Sequence, residues 1–346
     1  MFKKAICFDD VLLAPAFSSI KSREEIDLTV SLGREKFTLP IVSSPMDTVT
    51  ESSMSLKMIK NGGLGIIHRY NSIEQQSALA SEVFESLAEE EHFGVSKVSA
   101  AIGVSGDFLS RASHLFVSGV RILCVDVAHG HHSLMEQALK KLKDKFGDSV
   151  HLVAGNVATV EAFNDLSDWG ADSIRVGIGG GSICSTRIQT GHGVPTLQSI
   201  IDCAASDRDS TLIADGGIKT AGDIVKALAA GADMVMLGSM LAGTSETPGQ
   251  RLSSTTGQEY KVYRGMASPE AQISWRGQAR SLEGVSTTIP YKGGVTKILN
   301  NLKQNIKSGL SYTGARNIRQ LQNSAKFILQ TNASMNESRT HILNKL

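Results

Sequence analysis

The 346-residue sequence has almost no excess charge: 35 Lys and Arg stand against 34 Asp and Glu, a net charge of +1. That balance supplies no basic field to draw the chain to nucleic acid or to an anionic membrane surface. Any phosphate on a ligand must therefore be held locally. Long apolar runs are missing too. Val120–Val127 is among the longest, far short of the ~18 residues that a membrane span requires. Met1-Phe-Lys-Lys4 runs quickly into polar Phe8-Asp-Asp10, which does not read as a secretory leader. Cysteine is scarce. Cys7, Cys124, Cys184 and Cys203 are scattered without a CxxC pair, which argues against a disulfide scaffold and a zinc site. Cys7, Cys124 and Cys203 have apolar flanks and are expected as small core residues. A reducing, cytoplasmic compartment is the matching expectation. Proline is low at 7 residues, so the chain is neither collagen-like nor low-complexity.

Glycine is what the sequence has in excess: 33 of 346 residues, against a usual ~7%. With 41% hydrophobic and 20% charged residues, the chain can bury a core and is too apolar for disorder. A typical ~150 residues per domain suggests about two domains, but barrels run to ~250 residues as one unit. The glycines must lie at turns or binding loops, and their placement carries the rest of the reading.

Short β-branched runs alternate with longer amphipathic stretches. Eight strands are expected, at Leu39–Ser43, Leu64–Ile67, Val98–Ile102, Ile122–Val127, Leu152–Ala154, Ser173–Val176, Leu212–Ala214 and Met234–Leu237. Helical windows between them include Val160–Trp169 and Ala221–Ala230. Alternation of this kind implies βαβ units and a parallel sheet. Asn61-Gly-Gly-Leu64, Trp169-Gly-Ala-Asp172 and Ala230-Gly-Ala-Asp233 each sit between a helical window and a strand. Glycine there accepts the positive φ of a helix C-cap. One junction used repeatedly fits a closed α/β barrel. A doubly wound open sheet is the alternative, but no GxGxxG follows the first strand. After residue 240 the pattern stops. Ala267–Gly284 shows no clear period, Val295–Leu310 returns to a helical stripe, and Ala333–Leu346 is a polar tail expected to order in an oligomer.

Glycines gather where strands end. In a barrel the reactive face lies at the strand C-termini, and phosphate commonly sits after strands seven and eight. Here those strands end Ala214-Asp-Gly-Gly-Ile218 and Leu237-Gly-Ser-Met240. Both can offer bare backbone N–H groups to an anion, and Asp215 is placed to accept from ribose hydroxyls. The richest segment is Gly177–Pro195, after strand six. Loops this long in a compact domain are usually functional. Inside it Cys184 stands beside Ser185, Thr186 and Arg187. A thiol near a cation and free N–H groups tends toward the nucleophilic thiolate. His192, in the same segment, is read as a loop histidine rather than a base.

These residues resemble the inosine monophosphate dehydrogenase / guanosine monophosphate reductase family across nearly the whole chain. The shared motifs are Phe8-Asp-Asp-Val-Leu-Leu13, Ser44-Pro-Met-Asp-Thr-Val-Thr-Glu51, Gly63-Leu-Gly-Ile-Ile-His68, Asp126-Val-Ala-His-Gly130, Ala154-Gly-Asn-Val157, the Cys184 loop, Asp215-Gly-Gly217, Leu237–Gly243, Tyr263-Arg-Gly-Met266, Glu283-Gly284 and Pro290-Tyr-Lys-Gly293. The resemblance implies a (β/α)8 TIM barrel with an active-site flap and a C-terminal helix. It implies a nucleophilic Cys184 that attacks purine C2, and a nicotinamide cofactor that exchanges hydride there. It assigns Ser182, Gly217, Gly238, Ser239 and Tyr263 to the phosphate, Asp215 to the ribose, and Ser44, Met46, Gly216, Gly265, Met266 and Glu283 to the nucleotide. Asp126, Val127, Ala128 and Asn156 fall to the cofactor. Carbonyls of Gly179, Gly181 and Cys184 match the family's monovalent-cation (K+) site. Gly180 departs from the family's usual proline, which implies a floppier loop. A homotetramer is the implied assembly.

The family has two branches. Dehydrogenases carry a tandem regulatory insert after the second strand, for which Tyr70–Val98 leaves no room. They also hydrolyse their thioimidate with an Arg-Tyr pair on a long flap. Ala267–Leu282 holds Arg276 and Arg280 but no Tyr. Reductases instead expel ammonia with a Thr two residues after the Cys and a downstream Glu, the places of Thr186 and Glu283. Arg280 also fits the reductase flap. The expectation is an NADPH-dependent GMP reductase. The alternatives are an IMP dehydrogenase without the regulatory insert and a non-catalytic purine nucleotide-binding protein.

Overall fold

The computed structural model describes residues 2–90, 93–279 and 283–338. Eight parallel strands form a closed barrel. They are β1 (Ile41–Ser43), β2 (Leu64–Ile67), β3 (Ser99–Ile102), β4 (Ile122–Asp126), β5 (His151–Val157), β6 (Ser173–Val176), β7 (Thr211–Asp215) and β8 (Met234–Leu237). All eight expected strands are these, with ends shifted by up to three residues. The ring closes where β8 pairs with β1, Val235 opposite Ile41 and Leu237 opposite Ser43. An open doubly wound sheet is thereby excluded. β2, β3, β6 and β8 are buried along their whole length, as parallel strands covered on both faces must be.

Helices α1 (Ser52–Lys60), α2 (Ile73–Ala88), α3 (Phe108–Val117), α4 (Ser133–Phe146), α5 (Val160–Asp168), α6 (Thr196–Cys203) and α7 (Ala221–Ala229) follow the first seven strands. Their starts are written in the sequence. Ser72 and Gln75 form a capping box on α2, Thr220 and Asp223 another on α7, and the Thr159 hydroxyl accepts from the Ala162 N–H on α5. Each side chain satisfies an N–H that the first turn leaves without a helical partner. Gly62, Gly170 and Gly231 carry the expected positive φ, at 84°, 105° and 114°.

The helix expected at Val295–Leu310 is α8 (Val295–Ser311), and it is no appendage. It packs between α7 and α1 and completes the outer ring. Gly309 lets it come close: a Cβ there would meet Val225 Cγ2 at 2.6 Å. Between β8 and α8 the chain makes the insertion that periodicity missed, a three-stranded antiparallel sheet of Leu252–Ser253, Glu259–Arg264 and Ser286–Pro290. The short helix Pro269–Arg276 stands within it. Such strands alternate exposed and half-buried residues over only a few positions, too weak a pattern to read alone. Part of the polar tail is helical within the single chain, at Asn332–Glu337, capped by the Thr331 hydroxyl. Just before it, Phe327–Leu329 pairs antiparallel with Val11–Leu13.

The barrel interior is a packed core, not a channel. Val42, Leu64, Ile66, Ala101, Val153, Ile213 and Met234 fill it. A hairpin of Val30–Leu32 and Glu35–Phe37 plugs the end where the strands begin, with Leu32 and Phe37 packed into the same cluster. Cys124 and Cys203 are buried as expected, whereas Cys7 is only half-buried. Its place just ahead of the Phe8–Asp10 turn fixes it at the surface, its amide donating to Asp10 Oδ2 at 2.8 Å. Among the described residues no helix is long and apolar enough to cross a membrane.

Under the hairpin plug, His151 Nε2 meets Ser173 Oγ at 2.7 Å. Burial holds its imidazole below the ordinary value, with Asp172 opposing and Lys143 adding to that shift. The unfolded chain thus binds this proton more readily than the folded one. The stabilisation is complete above the unfolded pKa of ~6.5 and is lost as pH falls through the lowered folded value. Urea unfolding at pH 7 and pH 5 should show a smaller pH-dependent loss for His151→Gln than for the wild type. Equal losses would assign the acid sensitivity elsewhere.

Candidate active site

Closure of the barrel sets every strand C-terminus on one rim, and the candidate residues converge there. A cavity of about 540 Å³ is lined by the loops after β1, β6, β7 and β8 and by the inserted sheet. Ser44 and Met46 come from the first, and Ser182, Cys184 and Thr186 from the second. Asp215, Gly216 and Gly217 follow β7; Gly238 and Ser239 follow β8. Tyr263, Gly265, Met266 and Glu283 come from the insertion. An adjoining cavity of about 290 Å³ holds Asp126, Val127, Ala128, Asn156, Gly179 and Gly181, and shares Cys184 and Asp215 with the first. Arg280 lies outside the described residues.

The cavity walls explain their glycines. A Cβ on Gly238 would stand 3.0 Å from Tyr263 Oη, 3.3 Å from Met46 Sδ and 3.5 Å from Ser44 Oγ. Only a bare backbone lets those three side chains meet over it. Tyr263 Oη lies 3.4 Å from Ser182 Oγ, and burial raises its pKa, so it stays a neutral donor. A Cβ on Gly216 would stand 3.1 Å from the Gly180 carbonyl carbon and the Gly181 nitrogen, so the loop after β7 lies close against the Cys184 loop. Gly180, expected to loosen that loop, has Thr196 Oγ1 where its own side chain would be. That hydroxyl is buried and has no hydrogen-bond partner among the described residues.

The Cys184 loop is not the bare 18-residue loop that the sequence suggested. Thr186–Thr190 forms a short helical turn ended by Gly191 in the left-handed conformation. His192 is exposed, its ring turned on the Thr190 carbonyl of its own loop. The loop is tied to the strand returning from the insertion by an antiparallel bridge, Cys184 opposite Gly284. Ser185 N–H donates to the Glu283 carbonyl and Val285 N–H to the Ile183 carbonyl, both at 3.0 Å. This backbone register carries the Glu283 side chain to the thiol. Cys184 Sγ lies 3.2 Å from Thr186 Oγ1, and Thr186 Oγ1 donates to Glu283 Oε2 at 2.8 Å. A thiol, a hydroxyl and a carboxylate thus form one hydrogen-bonded line.

Four residues at the site were missed by sequence reasoning. Tyr70 and Gln272 line the larger cavity, as does Arg276, which the sequence already marks on the flap, and Arg69 lines the smaller one. Tyr70 follows β2 and stacks on Trp275 of the inserted helix, centroids 4.2 Å apart and planes within 12°, which docks that helix over the rim. Arg69 lies 5.5 and 5.6 Å from the same two rings. Burial pushes the Tyr70 phenol up, against the charges of Arg69 and Arg276. The fourth is Arg175 on β6, 6% exposed, which bonds both Asp126 and Asp215. Its signal was present: a lone cation in the apolar run Ser173-Ile-Arg-Val176.

A nicotinamide dinucleotide and a monovalent cation are the groups to weigh against these residues. The smaller cavity opens beside Cys184 and carries the Asp126 carboxylate, an acceptor whose chemistry suits a ribose of the dinucleotide. The cation's donors would be neutral backbone carbonyls, a set suited to an ion of low charge density. The Gly181 carbonyl accepts the Cys184 N–H at 3.2 Å and keeps its second lone pair.

Residues 5–341 match the model of the IMP dehydrogenase / GMP reductase domain. The chain is 35% identical to an inosine-5′-monophosphate dehydrogenase of Nitrosopumilus maritimus, over 98% of both chains. It is 33% identical to a GMP reductase of Leishmania major, over 99% of this chain and 98% of that one. The crystal structure of a Trypanosoma brucei GMP reductase variant with guanosine 5′-monophosphate is similar, with a TM-score of 0.88 and 32% identity over 98% of each chain. The two sequence alignments run over 471 and 482 positions against 346 residues here. The relatives of both names are therefore longer, and length does not separate the branches.

The bridge that places Glu283 depends on Gly284. A Cβ there would stand 2.7 Å from the Ser268 nitrogen and 3.1 Å from the Ala267 carbonyl carbon, backbone atoms that cannot swing aside. Gly284→Ala should cost about 1–3 kcal/mol in thermal or urea unfolding. Gly222→Ala, in the first turn of α7 and facing only Thr220 Oγ1 at 3.5 Å, should instead be neutral or stabilising by up to ~1 kcal/mol.

Proposed function

The chain belongs to the IMP dehydrogenase / GMP reductase family, and we propose that within it the chain is a GMP reductase, converting GMP to IMP and ammonia with NADPH. The observation that carries the reading is the relay from Cys184 through Thr186 to Glu283. A purine amino group leaves only when protonated, and this relay stands where such a proton is needed.

In this reading the loops after β6, β7 and β8 hold the 5′-phosphate on backbone N–H groups of Gly217, Gly238 and Ser239, with the hydroxyls of Ser182 and Tyr263. A phosphate held by amides and hydroxyls needs no net positive charge, in keeping with the charge balance of the chain. Asp215 takes the ribose hydroxyls, and Met266 and Glu283 border the base. Cys184 thiolate attacks purine C2, forming the S–C2 bond. Glu283, through the Thr186 hydroxyl, delivers a proton to the 2-amino nitrogen, and the C2–N bond breaks with release of ammonia. The bound dinucleotide supplies the hydride that reduces C2. Cys184 leaves as thiolate, and one proton taken up from water returns Glu283 to its starting state. Gly179, Gly181 and Cys184 offer carbonyls to K+, which would hold this loop in place. A homotetramer is the proposed assembly, readable by light scattering.

One observation favours the dehydrogenase as a second reading. The flap contains no Tyr, yet the fold brings Tyr70 from the end of β2 to line the same cavity as Arg276. An Arg and a Tyr together could activate water for hydrolysis to XMP. A purely nucleotide-binding protein is the weakest reading, because the nucleophile and its relay are both present.

Purified protein with GMP and NADPH should lose the reduced-dinucleotide absorbance and form IMP. Formation of XMP from IMP and NAD+, with no GMP-dependent NADPH loss, would replace this reading with the dehydrogenase. NADH in place of NADPH tests the cofactor preference. Cys184→Ala should abolish turnover while GMP still binds. Thr186→Val and Glu283→Gln should each lower kcat by ~10²–10⁴, the range of general acid–base catalysis, with smaller changes in KM for GMP.

A further inference from the structure

Arg175 projects from the middle of β6 and is sealed from solvent. Its Nη1 donates to Asp126 Oδ1 at 2.5 Å, and its Nη2 and Nε donate to Asp215 Oδ2 at 2.8 and 3.3 Å. Asp126 ends β4 and Asp215 ends β7, so one guanidinium spans the rim from one cavity to the other. Gly155 on β5 clears its path, for a Cβ there would stand 2.6 Å from Arg175 Cβ. Asn156 adds a second tie, its Nδ2 donating to Asp215 Oδ2 and to the Gly177 carbonyl, each at 2.9 Å. Asp215 Oδ2 thus takes every donor named, and among the described residues none bonds Oδ1. On the far side, Asp126 Oδ2 lies 3.6 Å from Arg69 Nε, an atom buried without a hydrogen-bond partner among the described residues. Two cations and two carboxylates therefore alternate along the cleft with no net charge.

We propose that Arg175 is a positioning residue that couples the two halves of the cleft, so that filling the nucleotide side through Asp215 orders Asp126 for the dinucleotide, and the reverse. The physical reason is the planar fork. A guanidinium cannot turn toward one carboxylate without changing its angle to the other. A ligand that fixes Asp215 fixes the fork and, through it, Asp126, so the second ligand loses less freedom on binding. The proposal rests on the reading of these two carboxylates as ribose anchors of nucleotide and dinucleotide.

Titration calorimetry on the full chain tests it, with pairs that cannot exchange hydride: GMP with NADP+, and IMP with NADH. In the wild type, each ligand should bind at least about tenfold more tightly when the other is saturating, and by the same factor in both directions, as linkage requires. Arg175→Met should bring that factor to about one. Arg175→Lys, which keeps the charge and loses the fork, should restore only part of it. Should Arg175→Met fail to fold, Arg175→Lys and Asp126→Asn carry the test. Asp126→Asn should lower the factor while GMP alone binds within about threefold of wild type. A wild-type factor of one overturns the proposal. So does a folded Arg175 variant that weakens both ligands and leaves the factor intact, which is what a merely structural role would give. If turnover occurs only with IMP and NAD+, the reductase reading fails while the IMP–NADH arm still reads the coupling.

Discussion

Pairing of β8 with β1 closes the ring, and nearly everything functional depends on that closure. It joins residues almost two hundred positions apart, the Ser44 N–H donating to the Leu237 carbonyl at 3.1 Å. Once closed, eight parallel strands must all end on one rim. Ser44, Asp126, Asn156, Cys184, Asp215 and Gly238 then face a common space because no other arrangement of these strands exists. The hairpin plug and the packed interior close the opposite end of the barrel.

A second layer of order is set by the insertion between β8 and α8. Its sheet returns along the Cys184 loop, and two backbone hydrogen bonds flanking Cys184 and Gly284 fix the register. A shift of one residue would turn Glu283 away from Thr186, since successive strand side chains point to opposite faces. The geometry of this candidate site is a property of backbone pairing more than of the side chains themselves. The Tyr70–Trp275 stack performs the same service for the inserted helix, by aromatic contact instead of hydrogen bonding.

Charge is handled in a similarly local way. The chain has nearly no net charge, and the buried charge at the cleft is compensated by its neighbours. The Arg175 guanidinium stays charged despite burial because Asp126 and Asp215 flank it. Beside it, burial pushes the Cys124 thiol up to about 11, which leaves that sulfur neutral. Desolvation thus keeps one thiol inert, while Cys184 sits half-exposed in the cleft.

The sequence by itself determined the barrel, because its information is local. β-branched runs, capping residues and positive-φ glycines each act within a few positions, and all eight strands and the junction glycines could be read there. It also marked Cys184, Asp215 and the glycine loops as candidates, and the family resemblance added Thr186 and Glu283. It did not reveal the insertion's sheet, the place of α8 in the ring, or the arrival of Tyr70 and Arg175 at the cleft. Those depend on pairings that run from 22 positions apart for Arg264 and Ser286, through 40 for Arg175 and Asp215, to 205 for Tyr70 and Trp275, and no periodicity records them. Gly180 shows the difference in one residue. Alone it reads as a loosened loop, and only the fold supplies Thr196 to fill the space beside it.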